Sequence, residues 1–388
     1  MNVLQKIKKI DWAIVLILLI FMGISTLLIH SAGYNDSKLA NHYIRNAVFY
    51  ALGFVVLFGT ALVNYRILLK FAPVFYVASV ISLVAVRYFG VVRGGARGWF
   101  EIPGIGLDLQ PAELMKLFLI LMLAYFLARK QGEPLQFTTG VVPAGLIAFI
   151  PFALVMLQPD LGNAIIYFVI IIAMLWIANV KYLHVLIGLA LAAGLMIGAV
   201  TVIDQYHDEI EQFLEEKDAG HWMDRIDAYL YPENATSDQT YQINNSKQAI
   251  GSGGLFGEGY LQGTSVHNNY IPITYSDSIF VVLAEEFGFL GSSIVLLLFF
   301  LLIYRLIIVS LISVEPGGAY IITGIVAMFV FQIFQNIGMF LQILPLTGIT
   351  LPFISYGGSS LIINMMSIGL ALSIRIHANQ PLDEDELS

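Results

Sequence analysis

The sequence predicts an all-α polytopic membrane protein with about ten transmembrane helices and one large extracellular (extracytoplasmic) loop. Hydrophobic side chains make up 58% of the 388 residues and charged side chains 12%, whereas charged residues are about 25% of a soluble globular protein. The mean hydropathy is +0.80. A single soluble catalytic domain is therefore excluded.

Ten apolar runs are long enough to cross a bilayer, and glycine, proline or charged residues separate them. They are residues 12–31, 47–63, 71–90, 113–128, 140–157, 161–179, 182–203, 279–309, 319–343 and 357–376. No small-residue cleavage site ends the first run, so we interpret it as an uncleaved helix rather than a signal peptide. We expect one domain, residues 1–388, in which residues 204–278 form the large loop between the seventh and eighth spans.

The distribution of basic residues predicts the orientation of the spans. If the N-terminus is inside, ten of the 19 lysines and arginines fall in short inner segments, as the positive-inside rule requires. They are Lys6, Lys8, Lys9, Arg66, Lys70, Arg129, Lys130, Lys181, Arg305 and Arg375. Both termini are then cytoplasmic, in a multi-pass protein, and residues 91–112 and 204–278 are the long outer segments.

The large loop carries 13 of the 27 acidic residues. Its acidic, amphipathic run 208–216 predicts a short surface helix. The glycine-rich run 251–259 lacks the spacing of a phosphate-binding loop, and we expect it to be flexible. The absence of cysteine excludes disulfides and thiolate sites, and the net charge of −8 argues against a nucleic-acid partner.

Ionisable residues at membrane depth are the candidate functional groups, because each is costly to bury. Glu113 and Lys116 are separated by three positions and therefore share one helix face. They form either a structural ion pair or the polar wall of a ligand cavity. Arg97, in the glycine-rich outer segment, is either a solvated cation or a phosphate ligand.

Two aspartates occupy outer turns of the chain. Asp160 and Asp277 each precede an apolar run, where aspartate is a common helix cap. Glu285 and Glu286 follow Asp277 along the eighth span, and a descending line of carboxylates is unusual in a structural helix. Capping and a functional role therefore both remain open for Asp160, and a functional role is favoured for Asp277.

Five motifs resemble one family, the SEDS proteins of shape, elongation, division and sporulation, typified by RodA, FtsW and SpoVE. The motifs are GARGW (95–99), QPAE (110–113) with Lys116, QPDLG (158–162), Ser276-Asp277 with LAEEFG (283–288), and LPLTGITLPFISYGGSS (344–360). The resemblance covers essentially the whole chain, and AEE (284–286) and LTG (346–348) are most similar to the RodA branch. Departures from the family pattern are Ser278, Asn163 and Gly98.

The resemblance implies a peptidoglycan glycosyltransferase that polymerises lipid II outside the cytoplasmic membrane during cell-wall elongation and cell-shape maintenance. Asp277 is then the expected base and Asp160 a second catalytic acid. A divalent cation, Mg²⁺ or Mn²⁺, is expected at Asp277, and the reaction is expected to invert the anomeric centre. The expected substrate-binding residues are Arg97, Glu113, Lys116, Glu285, Glu286, Ser355 and Gly357.

The resemblance also implies partners. These are lipid II, a class B penicillin-binding protein with transpeptidase activity, other proteins of the cell-elongation complex, and membrane lipid. Two other functions suit a chain with ten spans and buried charge. One is a lipid II flippase or transporter, and the other is a non-catalytic scaffold for the penicillin-binding protein.

Overall fold

The structure, a computed structural model, describes residues 3–36, 39–93, 96–102, 107–130, 133–216, 237–268 and 270–378. In chain order its elements are α1 (Val3–Lys8), α2 (Trp12–Ala32), α3 (His42–Leu62), α4 (Tyr65–Lys70), α5 (Ala72–Phe89), β1 (Val91–Arg93), β2 (Ala96–Ile102), β3 (Leu107–Leu109), α6 (Pro111–Ala128), a π-helical turn (Phe137–Val141), α7 (Val142–Met156), α8 (Leu161–Ile177), α9 (Tyr182–Gln205), α10 (His207–Glu216), α11 (Ser237–Ser252), α12 (Thr264–His267), α13 (Ile279–Ile312), α14 (Pro316–Phe340) and α15 (Gly358–His377).

A long helix covers each of the ten predicted spans, which confirms the predicted fold. Eight of these helices are long and apolar enough to cross a membrane by length and composition. The two others are the shorter apolar helix α8 and helix α9. The chain is therefore a multi-pass membrane protein.

Helices α6, α14 and α15 form the centre of the bundle, because most of their side chains are buried. Helix α15 packs along α3, and α14 packs against α6, α8 and α13. One continuous apolar core joins these helices. The polar residues at the start of α6, at the end of α14 and at the start of α15 therefore lie at the same end of the bundle.

Two helices depart from the predicted spans in ways that bear on the site. Helix α3 begins at His42, whereas the predicted span began at residue 47, because the polar residues before 47 continue the helix. Helix α13 has 34 residues and is broken at Gly288, whose φ of 63° is in the left-handed region. The break separates a buried first part, Ile279–Phe287, from the longer remainder of the helix.

The outer segment 91–112 contains a small antiparallel sheet with strand order β1-β2-β3. Val91 pairs with Trp99, and Glu101 pairs with Asp108. The glycines of this segment gave no indication of strands, but the β-branched and aromatic residues between them favour an extended backbone. The sheet fixes Glu101 and Asp108 side by side.

The described part of the large loop packs against the bundle. Helix α10 confirms the predicted acidic helix. The expectation that residues 251–259 are flexible is wrong. The backbone N–H of Glu258 donates to Glu285 O at 2.9 Å, and the N–H of Phe289 donates to Gly254 O at 2.9 Å. The break at Gly288 leaves helical backbone groups without partners, and this run supplies them.

Candidate functional site

A polar cavity of about 650 Å³ lies where the outer segments meet the bundle. Its wall combines the start of α3, the sheet, the start of α6, the turn before α8, the segment before α13 and the segment before α15. It contains five carboxylates, which are Glu101, Asp108, Glu113, Asp160 and Asp277. Within its described wall, the basic side chains are His42 and Arg45. The site is therefore strongly acidic.

Asp277 lies half-buried in this wall, just before Ser278, which occupies the N-cap position of α13. Its Oδ1 accepts a hydrogen bond of 3.0 Å from the Ser276 hydroxyl. Gly348 faces the other carboxylate oxygen, since a Cβ atom there would lie 3.4 Å from Asp277 Oδ2. The φ of Gly348 is 68°, which favours glycine. Residues 344–360, which we call the signature segment, thus reach the carboxylate of Asp277 directly.

Asp160 both caps a helix and lines the cavity, so the two alternatives are compatible. Its Oδ1 accepts the backbone N–H of Asn163 at 3.1 Å, which caps α8. Its Oδ2 accepts side-chain bonds from Asn163 at 2.8 Å and from Gln110 at 3.0 Å. These bonds fix the carboxylate and join the QPAE and QPDLG motifs.

Gly162, two residues after Asp160, lies in the first turn of α8, where there is no room for a larger side chain. A Cβ atom at this position would lie 2.8 Å from the Ile349 side chain and 3.0 Å from Thr347 O. Both distances are shorter than ordinary contact. The glycine therefore allows α8 to pack against the signature segment, and this packing brings Asp160 into the same cavity as Asp277.

The Glu113 and Lys116 pair is confirmed as an ion pair, with 2.7 Å between Nζ and Oε2. Glu113 lines the cavity. Lys116 is fully buried and is not part of the described cavity wall. The carboxylate therefore faces the cavity, and the ammonium group contacts that carboxylate.

The signature segment holds the loop that carries Asp277. The Ser355 hydroxyl donates to Ser276 O at 2.8 Å and accepts from the backbone N–H of Leu351 at 2.8 Å. The Tyr356 N–H donates to Tyr275 O at 3.0 Å. Gly357 lines the cavity, whereas Ser355 is buried behind these bonds. Ser355 therefore acts on the loop rather than on the cavity.

Three other predicted site residues lie outside the described cavity wall. Arg97 is exposed on β2. Glu285 accepts backbone bonds from Ser265 at 2.6 Å and Val266 at 3.1 Å, so it caps helix α12. Glu286 accepts a hydrogen bond from Ser31 and lies 3.4 Å from the His267 ring. Their expected role in substrate binding stays a prediction.

Arg45 is a cavity residue that the sequence analysis missed. It stands outside the predicted span, and an arginine at the outer end of a span runs against the positive-inside bias. This exception to the positive-inside rule is the feature of the sequence that could have identified Arg45. Burial raises the pKa of Tyr356, while Arg45 beside it acts in the opposite direction. The Tyr356 hydroxyl therefore stays protonated at neutral pH.

The sheet adds two more carboxylates that carried no motif. Glu101 and Asp108 pair across β2 and β3, and like charges directly opposite each other are destabilising.

Within the described chain, the one group of three side chains close enough to share a metal ion is His207, Asp208 and Glu211 on α10. The cavity carboxylates therefore present individual ligands rather than a preformed set of three.

Comparison with known proteins identifies the family. The model of the family described as "Cell cycle protein" (FtsW/RodA/SpoVE) matches residues 8–380. Stage V sporulation protein E of Bacillus subtilis is 34% identical over 376 residues, covering 94% of this chain and 96% of that protein. Peptidoglycan glycosyltransferase MrdB of Escherichia coli is 34% identical over 368 residues, covering 95% and 94%.

Solved structures agree with the sequence relatives. The fold is similar to a chain in a structure described as "Structural coordination of polymerization and crosslinking by a peptidoglycan synthase complex", with a TM-score of 0.76, 27% identity, and 96% and 99% of the two chains covered. Rod shape determining protein RodA of Thermus thermophilus gives a TM-score of 0.68 at 27% identity, covering 96% and 98%. The chain belongs to the FtsW/RodA/SpoVE family of cell cycle proteins.

Proposed function

We propose that this chain, a peptidoglycan glycosyltransferase, polymerises lipid II in the acidic cavity with Asp277 as the catalytic base. One observation carries the proposal. The carboxylate of Asp277 lies in the cavity wall against Gly348 of the signature segment. A polar cavity at one end of an apolar bundle suits a substrate with a sugar headgroup and a lipid anchor.

In the proposed reaction, Asp277 accepts the proton of the attacking sugar hydroxyl. The oxygen then bonds to the anomeric carbon of the donor as the bond to the lipid diphosphate breaks. A single displacement inverts that carbon, from an α-linked donor to a β-linked product. Asp160, held by Gln110 and Asn163, supplies a second fixed negative charge for the oxocarbenium-like carbon.

The departing diphosphate needs positive charge in a cavity with five carboxylates. Arg45 is in the wall, and a guanidinium group suits phosphate oxygens. A divalent cation, magnesium or manganese, fits the donors as well, because magnesium is commonly bound by one or two carboxylates and substrate phosphates. Asp277 is the proposed protein ligand, and the ion would neutralise the charge of the leaving group.

A second cavity supports a lipid-linked substrate. It has a volume of about 390 Å³ and is lined almost entirely by apolar side chains of α3, α4, α5, α6 and α15 and by Val63, which follows α3. Helices α3, α6 and α15 also contribute to the wall of the acidic cavity. In the proposed orientation this recess lies towards the cytoplasmic ends of these helices, because Leu68 falls between Arg66 and Lys70 of an inner segment, so it suits the far end of a long hydrocarbon chain.

Location and partnership complete the proposal. We place both termini in the cytoplasm and the acidic cavity outside. The contact of Asp11 with Arg375 supports termini on one side, since it joins the start of α2 to the end of α15. A class B penicillin-binding protein is the proposed partner, in keeping with the peptidoglycan synthase complex that contains a similar chain.

The deciding experiment incubates labelled lipid II with purified protein in detergent, alone and with a candidate penicillin-binding protein. Glycan strands resolved on a gel are the expected product. A transporter has no membrane to cross in detergent and would leave lipid II unchanged. A scaffold would yield no glycan with a partner whose own activity is confined to transpeptidation, and either result would contradict the proposal.

A further inference from the structure

Two buried amide side chains lie near the C-terminal end of α14. Gln335 and Asn336 are 2% and 0% exposed. An amide buried among apolar helices is unfavourable unless its hydrogen bonds are made. The partners of these two side chains therefore indicate what the amides do.

Asn336 joins the two segments that meet at the cavity. Its Nδ2 donates to Asp277 O at 2.8 Å and to Ile349 O at 2.7 Å. Both acceptors belong to non-helical backbone, which has no intrahelical partner for its carbonyl groups. One amide group thus bridges the residue carrying the proposed base and the segment that faces it.

Gln335 holds the same signature segment at a second point. Its Nε2 donates to Pro345 O at 2.9 Å and to the Thr347 hydroxyl oxygen at 3.0 Å. Thr347 lines the cavity, next to Gly348. The two consecutive amides of α14 therefore fix both ends of the stretch 345–349.

The pattern of bonds favours a positioning role over general packing. Asn336 uses its amino group twice, while its Oδ1 is buried and has no hydrogen-bond partner among the described residues. A residue selected for packing alone gains nothing from a buried, unsatisfied oxygen. The two donated bonds, in contrast, set the spacing between the Asp277 loop and Gly348, and therefore the place of the Asp277 carboxylate in the cavity.

We propose that Asn336 and Gln335 are positioning residues for glycosyl transfer, which hold Asp277 against the signature segment in the geometry that the reaction needs. The proposal rests on the proposed function of Asp277. The two amides touch backbone and Thr347 rather than the cavity, so their loss should lower turnover through misplacement of the base. A shift of about 1 Å in a reacting group can cost about 100-fold in rate.

Asn336→Leu and Gln335→Leu test this, with Gln332→Leu as the matched control. Gln332 lies one turn earlier on α14 and is 1% exposed, and its Oε1 has no hydrogen-bond partner in the part of the chain that the structure describes. We expect Gln332→Leu to keep the wild-type rate. Asn336→Leu should lower kcat for lipid II by about 10- to 100-fold, with KM close to that of the control. Its melting temperature should fall by a few degrees, because two carbonyl groups lose their donor, and kcat is therefore measured well below it. Equal kcat in Asn336→Leu and Gln332→Leu would overturn the proposal.

Gln335→Asn keeps the experiment decisive if a leucine variant does not fold. It retains an amide but is one methylene too short to reach Pro345 and Thr347, and Gln332→Asn is its control. Reduced kcat in Gln335→Asn alone is expected, and wild-type kcat in both contradicts the proposal. Asp277→Asn is measured in parallel. Full activity of that variant refutes the proposed base, whereas its inactivity beside a fully active Asn336→Leu refutes the positioning role alone.

Discussion

Breaking the Glu113 and Lys116 pair should destabilise the protein strongly, and removing both charges should not. The two groups are 2.7 Å apart, and neither Nζ nor Oε2 has another hydrogen-bond partner in the described structure. Removing one member of a buried pair leaves an uncompensated charge, at a cost of about 3–5 kcal/mol. Replacement of both by neutral side chains of similar size is often neutral or stabilising.

The structure also predicts which single change is worse. Lys116 is fully buried, whereas the Glu113 side chain is 9% exposed and lines the cavity. Glu113→Gln strands an ammonium group with no access to water, so its cost should be near the upper end of the range. Lys116→Met leaves a carboxylate that cavity water can reach, so its cost should be lower.

The assay is thermal unfolding of purified protein in detergent, for both single variants and the double variant. With an unfolding entropy of about 0.8 kcal/mol/K for a chain of this length, the single changes should lower Tm by about 4–6 °C. The double variant Glu113→Gln/Lys116→Met should recover most of that loss. Losses that simply add in the double variant would refute the ion-pair reasoning, because independent sites add and coupled sites do not.

Three further outcomes follow from the fold. Tyr241→Cys, in this cysteine-free chain, should react with an impermeant maleimide in intact cells and Leu4→Cys only after lysis. The reverse pattern would invert the proposed orientation. Gly162→Ala should destabilise the protein by about 1–3 kcal/mol through overpacking against the signature segment. Its control, Gly145→Ala, has no atom within 4 Å of the new Cβ and should not destabilise the protein. Equal melting temperatures of the two variants would argue against the close approach of α8 to the signature segment. Glu285→Gln should speed hydrogen exchange at residues 264–267 by weakening their cap, and unchanged exchange would show that the cap is unimportant.

Much of the fold was predictable because each span is a physical requirement of the bilayer. An apolar run of about 20 residues has few alternatives to a membrane helix. Boundaries were less certain where polar residues continue a helix, as at the start of α3. The three short strands of residues 91–109 were missed because the glycines between them resemble a loop.

The carboxylates of the site at membrane depth could be predicted from the sequence, whereas Arg45 and the amide side chains that hold the Asp277 loop could not. Asp277, Asp160 and Glu113 stand out because carboxylates are rare at membrane depth. Arg45 was missed because the predicted span began at residue 47, whereas α3 begins at His42. Asn336 lies in an apolar helix, and an amide there gives no sign in sequence of which backbone carbonyls it meets. Such partners depend on tertiary packing.

The glutamates of α13 show a different limit. Glu285 and Glu286 fall on the same helix as the residues that follow Asp277, so spacing alone placed them near the cavity. Their side chains instead contact the large loop and α2, since Glu285 accepts from Ser265 and Val266, and Glu286 accepts from Ser31 beside His267. A broken helix is difficult to recognise when glycine is also tolerated inside membrane helices.

The most direct test of Asp277 as the base compares wild-type and Asp277→Asn protein in matched amounts, each with the proposed penicillin-binding partner and labelled lipid II. Asparagine keeps the size of the side chain and an oxygen to accept the Ser276 bond, but it cannot take a proton. The expected result is a fall in glycan synthesis of about 100- to 10,000-fold at unchanged melting temperature and partner binding. Glycan synthesis within a few-fold of wild type would contradict the assignment and would move the catalytic role to Asp160.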